Sequence, residues 1–371
     1  AGSLPYLVLV EIFSEIEENS PNRYQTLFSC SLVNRYWCRH ALPFLWRRPF
    51  NCRPENYAKL ISIYLQFIDP DDLTLLDLDI TLPSSSPSSL LLHYPTFIKH
   101  IDFCHFFDAV QRWMTTDADF KKGKNRWNWK PQWFHREIPI SQEVFSIIKR
   151  GFVDALLLSF IKSGARVNSI AFSPQNNEMC LDEVLWPFEE NVNELVGNVN
   201  SVSISGMFQK EQVFEELAKV CNNVQNMEVT IEGNADNYGA QLPTEYIQLG
   251  NLIQSQKNLI SLDLTLREKN REFIDLLLPS IWCTASTLKH LRLCTADFRN
   301  VRQPLFGLAT CNKLESLEFR YCKGLTNDFV APFVGNGALK KLEKVRVLGS
   351  CCSILASWSE EKCRVAGGIM R

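Results

Sequence analysis

The residues of this chain most able to do chemistry are its thirteen cysteines and six histidines, because thiolates and imidazoles serve as nucleophiles, proton carriers and metal ligands. Their spacing argues for a quieter role. The cysteines are odd in number, scattered, and never form a Cys-x-x-Cys pair, so they read as reduced, mostly buried small hydrophobes. His40, His93, His100, His105, His135 and His290 show no paired metal spacing; His100, Cys104 and His105 lie closest but share an expected strand and its exit. Gly-rich phosphate loops, Gly-x-Ser-x-Gly and His-Glu-x-x-His are all missing. No catalytic residue, metal or cofactor is therefore expected. The chemistry that remains is recognition, by apolar anchors near the N-terminus and by charges that recur between leucines further along.

The anchors need helices to present them. Leu4-Pro5 reads as a helix start, since proline presets φ and the first turn has no use for its missing N–H. Val8, Leu9, Ile12, Phe13 and Ile16 then recur at helical spacing, with Glu11, Glu15, Glu17 and Glu18 assigned to the wet side. A second helix is expected from about Thr26 to Ala41, with Val33 and Trp37 one turn apart, before the chain turns at Pro43 toward Leu45 and Trp46. Fifty residues bury too little surface to stand comfortably alone, so such a unit leans on a partner or on the rest of its chain.

The Leu-Pro start, the Val33-x-x-x-Trp37 spacing and the Phe44-Leu45-Trp46 close resemble an F-box over roughly residues 4 to 48. The resemblance implies docking on a Skp-type adaptor and, through it, on a cullin scaffold of a ubiquitin ligase. On that reading the adaptor-binding residues are Leu4, Pro5, Leu9, Ile12, Phe13, Leu32, Val33, Trp37, Leu45 and Trp46. Two departures stand out: Leu7 occupies a position where an acidic residue often caps the first helix, and Glu18 to Gln25 makes a long polar junction. The plainer alternative is a helical cap whose apolar stripes are intramolecular core.

Further along, apolar-x-x-apolar-x-apolar recurs at Leu259/Leu262/Leu264, Leu288/Leu291/Leu293, Leu314/Leu317/Phe319 and Leu342/Val345/Val347. Leu259 to Leu288 is 29 residues, Leu288 to Leu314 is 26 and Leu314 to Leu342 is 28. Weaker copies stand at Ile98/Ile101/Phe103, Val167/Ile170/Phe172, Val199/Val202/Ile204 and Val224/Met227/Val229. This period, and Leu314-x-x-Leu317-x-Phe319-x-x-Cys322-x-x-Leu325-Thr326-Asn327 above all, resembles cysteine-containing leucine-rich repeats, in which each unit gives a strand and then a helix. Helices are expected at Lys210 to Cys221, Thr244 to Ser255, Arg271 to Trp282, Pro304 to Thr310 and Asn327 to Val334.

The implied fold class is α/β: a small all-α F-box followed by an irregular, ribonuclease-inhibitor-like leucine-rich-repeat solenoid with a curved parallel sheet. The expected domains are 1–50, the F-box; 51–97, a helical connection with a Pro/Ser-rich loop; 98–350, the solenoid with an insertion around 107–166; and 351–371, a C-terminal cap or tail. Strand residues alternate direction, so those between the buried leucines point to the concave face. This selects Asp263, Arg292, Glu318, Arg320 and Arg346 as substrate-binding candidates, with Asp102, Ala171, Ser203 and Glu228 as upstream equivalents. The basic, tryptophan-rich stretch Lys121 to Trp133 reads either as a surface insertion folded back on the repeats or as a binding loop for an acidic partner.

Composition narrows the function. A net charge of −2, with 39 Lys+Arg against 41 Asp+Glu, offers no basic surplus for nucleic acid or an anionic membrane. The longest apolar candidate, Ala155 to Ile161, is far short of a span, and the N-terminus lacks a signal-peptide pattern, which points to a cytoplasmic or nuclear protein. The missing initiator Met suggests a fragment or processed chain. The expected function is the substrate-recognition subunit of an SCF-type (Skp adaptor, cullin, F-box) ubiquitin ligase, itself non-catalytic, which holds a protein substrate on its repeats. The competing expectation is a leucine-rich-repeat scaffold or recognition protein with no ligase connection.

Overall fold

A computed structural model describes residues 4–69, 92–116, 142–173, 192–206, 212–231, 244–266, 273–299, 301, 305–326 and 341–349. The chain forms two compact units, Ala1–Ser169 with Glu189–Val196, and Ile170–Phe188 with Gly197–Arg371.

The first unit begins with α1 (Tyr6–Asn19), α2 (Arg23–Ser31) and α3 (Arg35–Leu45), which close around Leu9, Phe13, Leu27, Ala41 and Phe44. Pro5 caps α1, its carbonyl accepting the Leu9 N–H at 3.1 Å. The single helix expected over 26–41 is in fact two. The first closes at Ser31, with the Leu32 and Val33 N–H groups bonded to the Ser29 and Cys30 carbonyls; Asn34 then takes an extended backbone and its side-chain oxygen accepts the Trp37 N–H at 2.9 Å, so it caps the next. Pro43 does not turn the chain either; α3 runs through it to Leu45, and the Trp46 N–H closes on the Leu42 carbonyl at 3.0 Å. Glu17, assigned to solvent by periodicity, is only 3% exposed because Arg47 and Arg48 reach its two carboxylate oxygens at 2.7 and 3.0 Å.

The same unit continues through α4 (Tyr57–Tyr64), β1 (His100–Asp102), α5 (Phe103–Thr116), α6 (Gln142–Lys162) and the short α7 (Val192–Val196). Its second core is aromatic: Phe50 lies 4.7 Å from Phe106 and Tyr64 lies 5.0 Å from Phe160, ring centre to ring centre. The apolar run 155–161 is part of α6, and among the described residues no helix is long and apolar enough to cross a membrane.

β2 is Ser169–Phe172, and the second unit adds β3 (Ser201–Gly206), α8 (Gln212–Val220), β4 (Asn226–Ile231), α9 (Thr244–Ser255), β5 (Ser261–Leu266), α10 (Ile274–Cys283), β6 (His290–Cys294), a 3-10 helix at Leu305–Thr310, β7 (Ser316–Arg320) and β8 (Lys344–Leu348). The eight strands form one parallel sheet in the order of the chain. Each apolar-x-x-apolar-x-apolar copy coincides with one strand, except that Phe103 already opens α5. Helix α9 matches its expected bounds, whereas α8 and α10 start two and three residues later than expected. The stretches 82–91, 121–134, 327–334 and 351–371, which carried further expectations, lie outside the described residues.

Register follows from alternation. Leu262, Leu264, Leu291, Leu293, Leu317 and Phe319 are buried on one side of the sheet, so the intervening residues must face the other. One carbonyl before each strand accepts two consecutive N–H groups from the next: Gln225 from Ile260 and Ser261, Ile260 from Lys289 and His290, Lys289 from Glu315 and Ser316, Glu315 from Glu343 and Lys344. Within the first unit the same arrangement starts at Arg47, whose carbonyl takes the Lys99 and His100 N–H groups at 3.0 and 3.1 Å. Lys99 in turn accepts from Asn168 and Ser169. The residue that leaves a strand turns left-handed at Gly206, Thr295, Tyr321 and Gly349.

Candidate functional site

Two surfaces emerge, one in each unit. In the helical unit, the sequence-selected apolar residues separate into core and surface. Leu9 and Phe13 are fully buried, and Trp37 packs edge-on against Phe13 at 5.7 Å, so these three hold the bundle together. Ile12 and Leu45 are partly buried against the same cluster, while Trp46 stacks on Tyr94 at 4.2 Å. Leu4, Pro5, Leu32 and Val33 face outward, Leu32 being 69% and Val33 59% exposed.

Periodicity missed several of their neighbours. Tyr6, Leu7, Phe28 and Tyr36 are also exposed, and so is Val8, which periodicity places on the core-facing stripe. Leu7, at 74%, is the clearest signal the sequence offered, an apolar residue off the core-facing stripe of α1. Tyr36 ties the two ends of this surface together, with its hydroxyl donating to the Leu4 carbonyl at 3.2 Å and its ring edge-on to His40 at 4.7 Å. An outward apolar set this dense on so small a unit marks an interaction surface.

In the sheet unit, register places Ser203, Glu228, Asp263, Arg292, Glu318 and Arg346 side by side in one row across β3 to β8. Arg292 sits between two carboxylates, bonded to Asp263 through Nη1 and to Glu318 through Nε at 2.8 Å. Arg320, one row further along, takes the second oxygen of Glu318 at 2.9 Å. Burial alone would raise the Glu318 carboxyl, but two guanidiniums outweigh it and hold the group below its ordinary value. At Asp263 burial outweighs the hydrogen bond and charge of Arg292 and the more distant charge of Arg320, and raises its carboxyl. A cavity of about 90 Å³ opens beside this chain of charges, lined by Ser261, Asp263, His290, Arg292, Ser316 and Glu318 among others. Arg346 is exposed on β8 and makes no ion pair among the described residues.

His100 donates to or accepts from Ser169 Oγ at 3.0 Å, His105 contacts the Phe50 carbonyl at 3.1 Å, and Cys104 is buried. Burial, with Arg48 nearby, pulls the His100 imidazole down to about 4. Among the described residues no three His, Cys, Asp or Glu side chains converge as a metal site, and the nine described cysteines are free thiols. Cys322, singled out by the repeat pattern, leans on the Leu293 carbonyl at 3.3 Å, and burial pushes its thiol up to about 12.

Residues 1–52 match the F-box-like family. No curated protein matches the chain. The molecule is thus a helical F-box-like region followed by a mixed α/β region with an eight-stranded parallel sheet, and F-box domains generally bind Skp-type adaptors.

Proposed function

We propose that this protein is the substrate-recognition subunit of an SCF-type E3 ubiquitin ligase. The F-box-like region docks on a Skp-type adaptor and through it on a cullin, while the sheet region, read as irregular leucine-rich repeats, holds a protein substrate. The observation that carries the reading is the F-box-like match over 1–52, which coincides with the outward apolar set Leu4, Leu7, Val8, Leu32 and Val33. The strand-by-strand register supports the repeat reading. No residue of the chain then needs to do chemistry, because holding a substrate beside a separate conjugating enzyme raises the effective concentration of its lysines. The protein works in the cytoplasm, the nucleus or both, without nucleic acid or membrane.

A second reading, a repeat scaffold without ligase connection, is favoured by the Arg47 carbonyl, through which the helical region begins the β1 hydrogen-bond pattern as an intramolecular cap would. One experiment separates the two: co-purification of the full chain with a Skp-type adaptor, wild type against a Leu32→Asp plus Val33→Asp variant. Both residues are exposed, so circular dichroism is expected to show an intact fold. Capture by the wild type, lost in the folded variant, supports the receptor; no capture by the wild type leaves the scaffold.

A further inference from the structure

The polar face of β4 to β8 is patterned in charge, and the pattern is informative because its middle is neutralised from within. Arg292 bridges Asp263 and Glu318, and Arg320 engages Glu318 again. These groups are at once paired and braced, which leaves them little attraction for a ligand's charge. The charges without an ion pair among the described residues stand at the two ends. Glu228 is exposed on β4, beside the carboxylate of Asp263 in the same row. Lys344 and Arg346 are both exposed on β8, two residues apart and therefore on the same face. Next to this basic end, Leu348 and Tyr321 are 47% and 64% exposed. Tyr321 lies over Gly349, where a Cβ would stand 2.6 Å from its ring, so glycine there leaves the aromatic room to sit at the corner of the sheet.

From these observations we infer that the β4 to β8 face binds an extended protein segment of dipolar charge: a basic residue over Glu228, and acidic residues with an apolar neighbour over Lys344, Arg346, Leu348 and Tyr321. The inference rests on the substrate-receptor reading and names its substrate class. Four strand steps of about 4.8 Å separate the two ends, roughly 19 Å, which about six residues of extended chain span. Between them the cavity over Ser261, His290 and Ser316 accepts one small polar side chain. A uniformly acidic ligand meets Glu228 at one end, and a uniformly basic one meets Lys344 and Arg346 at the other. Like charges there give the face its selectivity.

The test is selection of a random peptide display library on the full chain and on a Lys344→Glu plus Arg346→Glu variant, with adaptor co-purification read on the same preparations. The expected peptides from wild type carry Asp or Glu beside an apolar residue, with Lys or Arg about six positions away. The variant is expected to bind them about tenfold more weakly and to select Lys or Arg in place of the acidic positions. Identical profiles from both proteins, an enrichment without this spacing, or no enrichment at all overturns the inference. If adaptor capture persists in any of these cases, the dipolar segment alone is refuted; if charge-patterned peptides emerge without adaptor capture, the ligase connection fails and the binding face stands.

Discussion

Single residues set the local energetics in both units. Glu17 is the sharpest case: removing a nearly buried carboxylate that two arginines reach leaves both cations without that acceptor. Both guanidiniums are about a third exposed, which moderates the cost. Glu17→Ala is therefore expected to destabilise the helical unit by about 1–3 kcal/mol, read as a lower urea midpoint. His100 gives the pH dependence. Its imidazole falls from 6.5 to about 4 in the folded chain, so it favours folding when neutral. That contribution is fully present above pH 6.5 and is lost as the pH falls through the window toward 4. A His100→Gln variant is expected to show a flatter stability profile across this window, by on the order of 1–3 kcal/mol; an unchanged slope rejects the assignment.

At the scale of elements, two side chains decide where helices and strands meet. Asn34→Ala removes the cap that restarts the chain at α3 and is expected to cost about 1 kcal/mol, with faster amide exchange at Trp37. Gln256 closes the turn after α9. Its amide nitrogen donates to the carbonyls of Cys221 and Leu252 at 2.7 and 2.8 Å, and its oxygen accepts the Val224 N–H at 2.9 Å. Leucine at this position leaves those buried backbone groups unmet. Gln256→Leu is thus expected to destabilise the sheet unit by about 1–3 kcal/mol, with the Val224 amide among those losing protection.

On the scale of the whole molecule, the F-box-like region is built into the rest of its unit. The Arg47 carbonyl receives two N–H groups from Lys99 and His100, the Tyr24 hydroxyl donates to the Arg48 carbonyl at 2.6 Å, and Trp46 stacks on Tyr94. Residues 1–52 expressed alone lose the first and last of these and retain a core of only a few apolar side chains. The isolated fragment is expected to be marginal or unfolded by circular dichroism and amide exchange, and to gain structure when an adaptor is added. A cooperative, stable fragment contradicts that dependence.

Local rules carried far where one pattern had one solution. The apolar-x-x-apolar-x-apolar spacing located every strand of the sheet, because alternation forces the leucines to one face and leaves Asp263, Arg292 and Glu318 on the other. The start of α1 and its buried Leu9 and Phe13 were equally legible, since helical periodicity and a proline start say so without knowledge of neighbours. Tertiary structure decided what depends on residues distant in the chain. Glu17 is buried because Arg47 and Arg48 return to it, Trp37 is core because Phe13 meets it, and Leu7 is exposed because none of the described residues covers it. The ion-pair chain across β5, β6 and β7 belongs to the same class. Residues 26 to 29 positions apart were chosen by the repeat, but which carboxylate each arginine took was settled only when parallel register set them side by side.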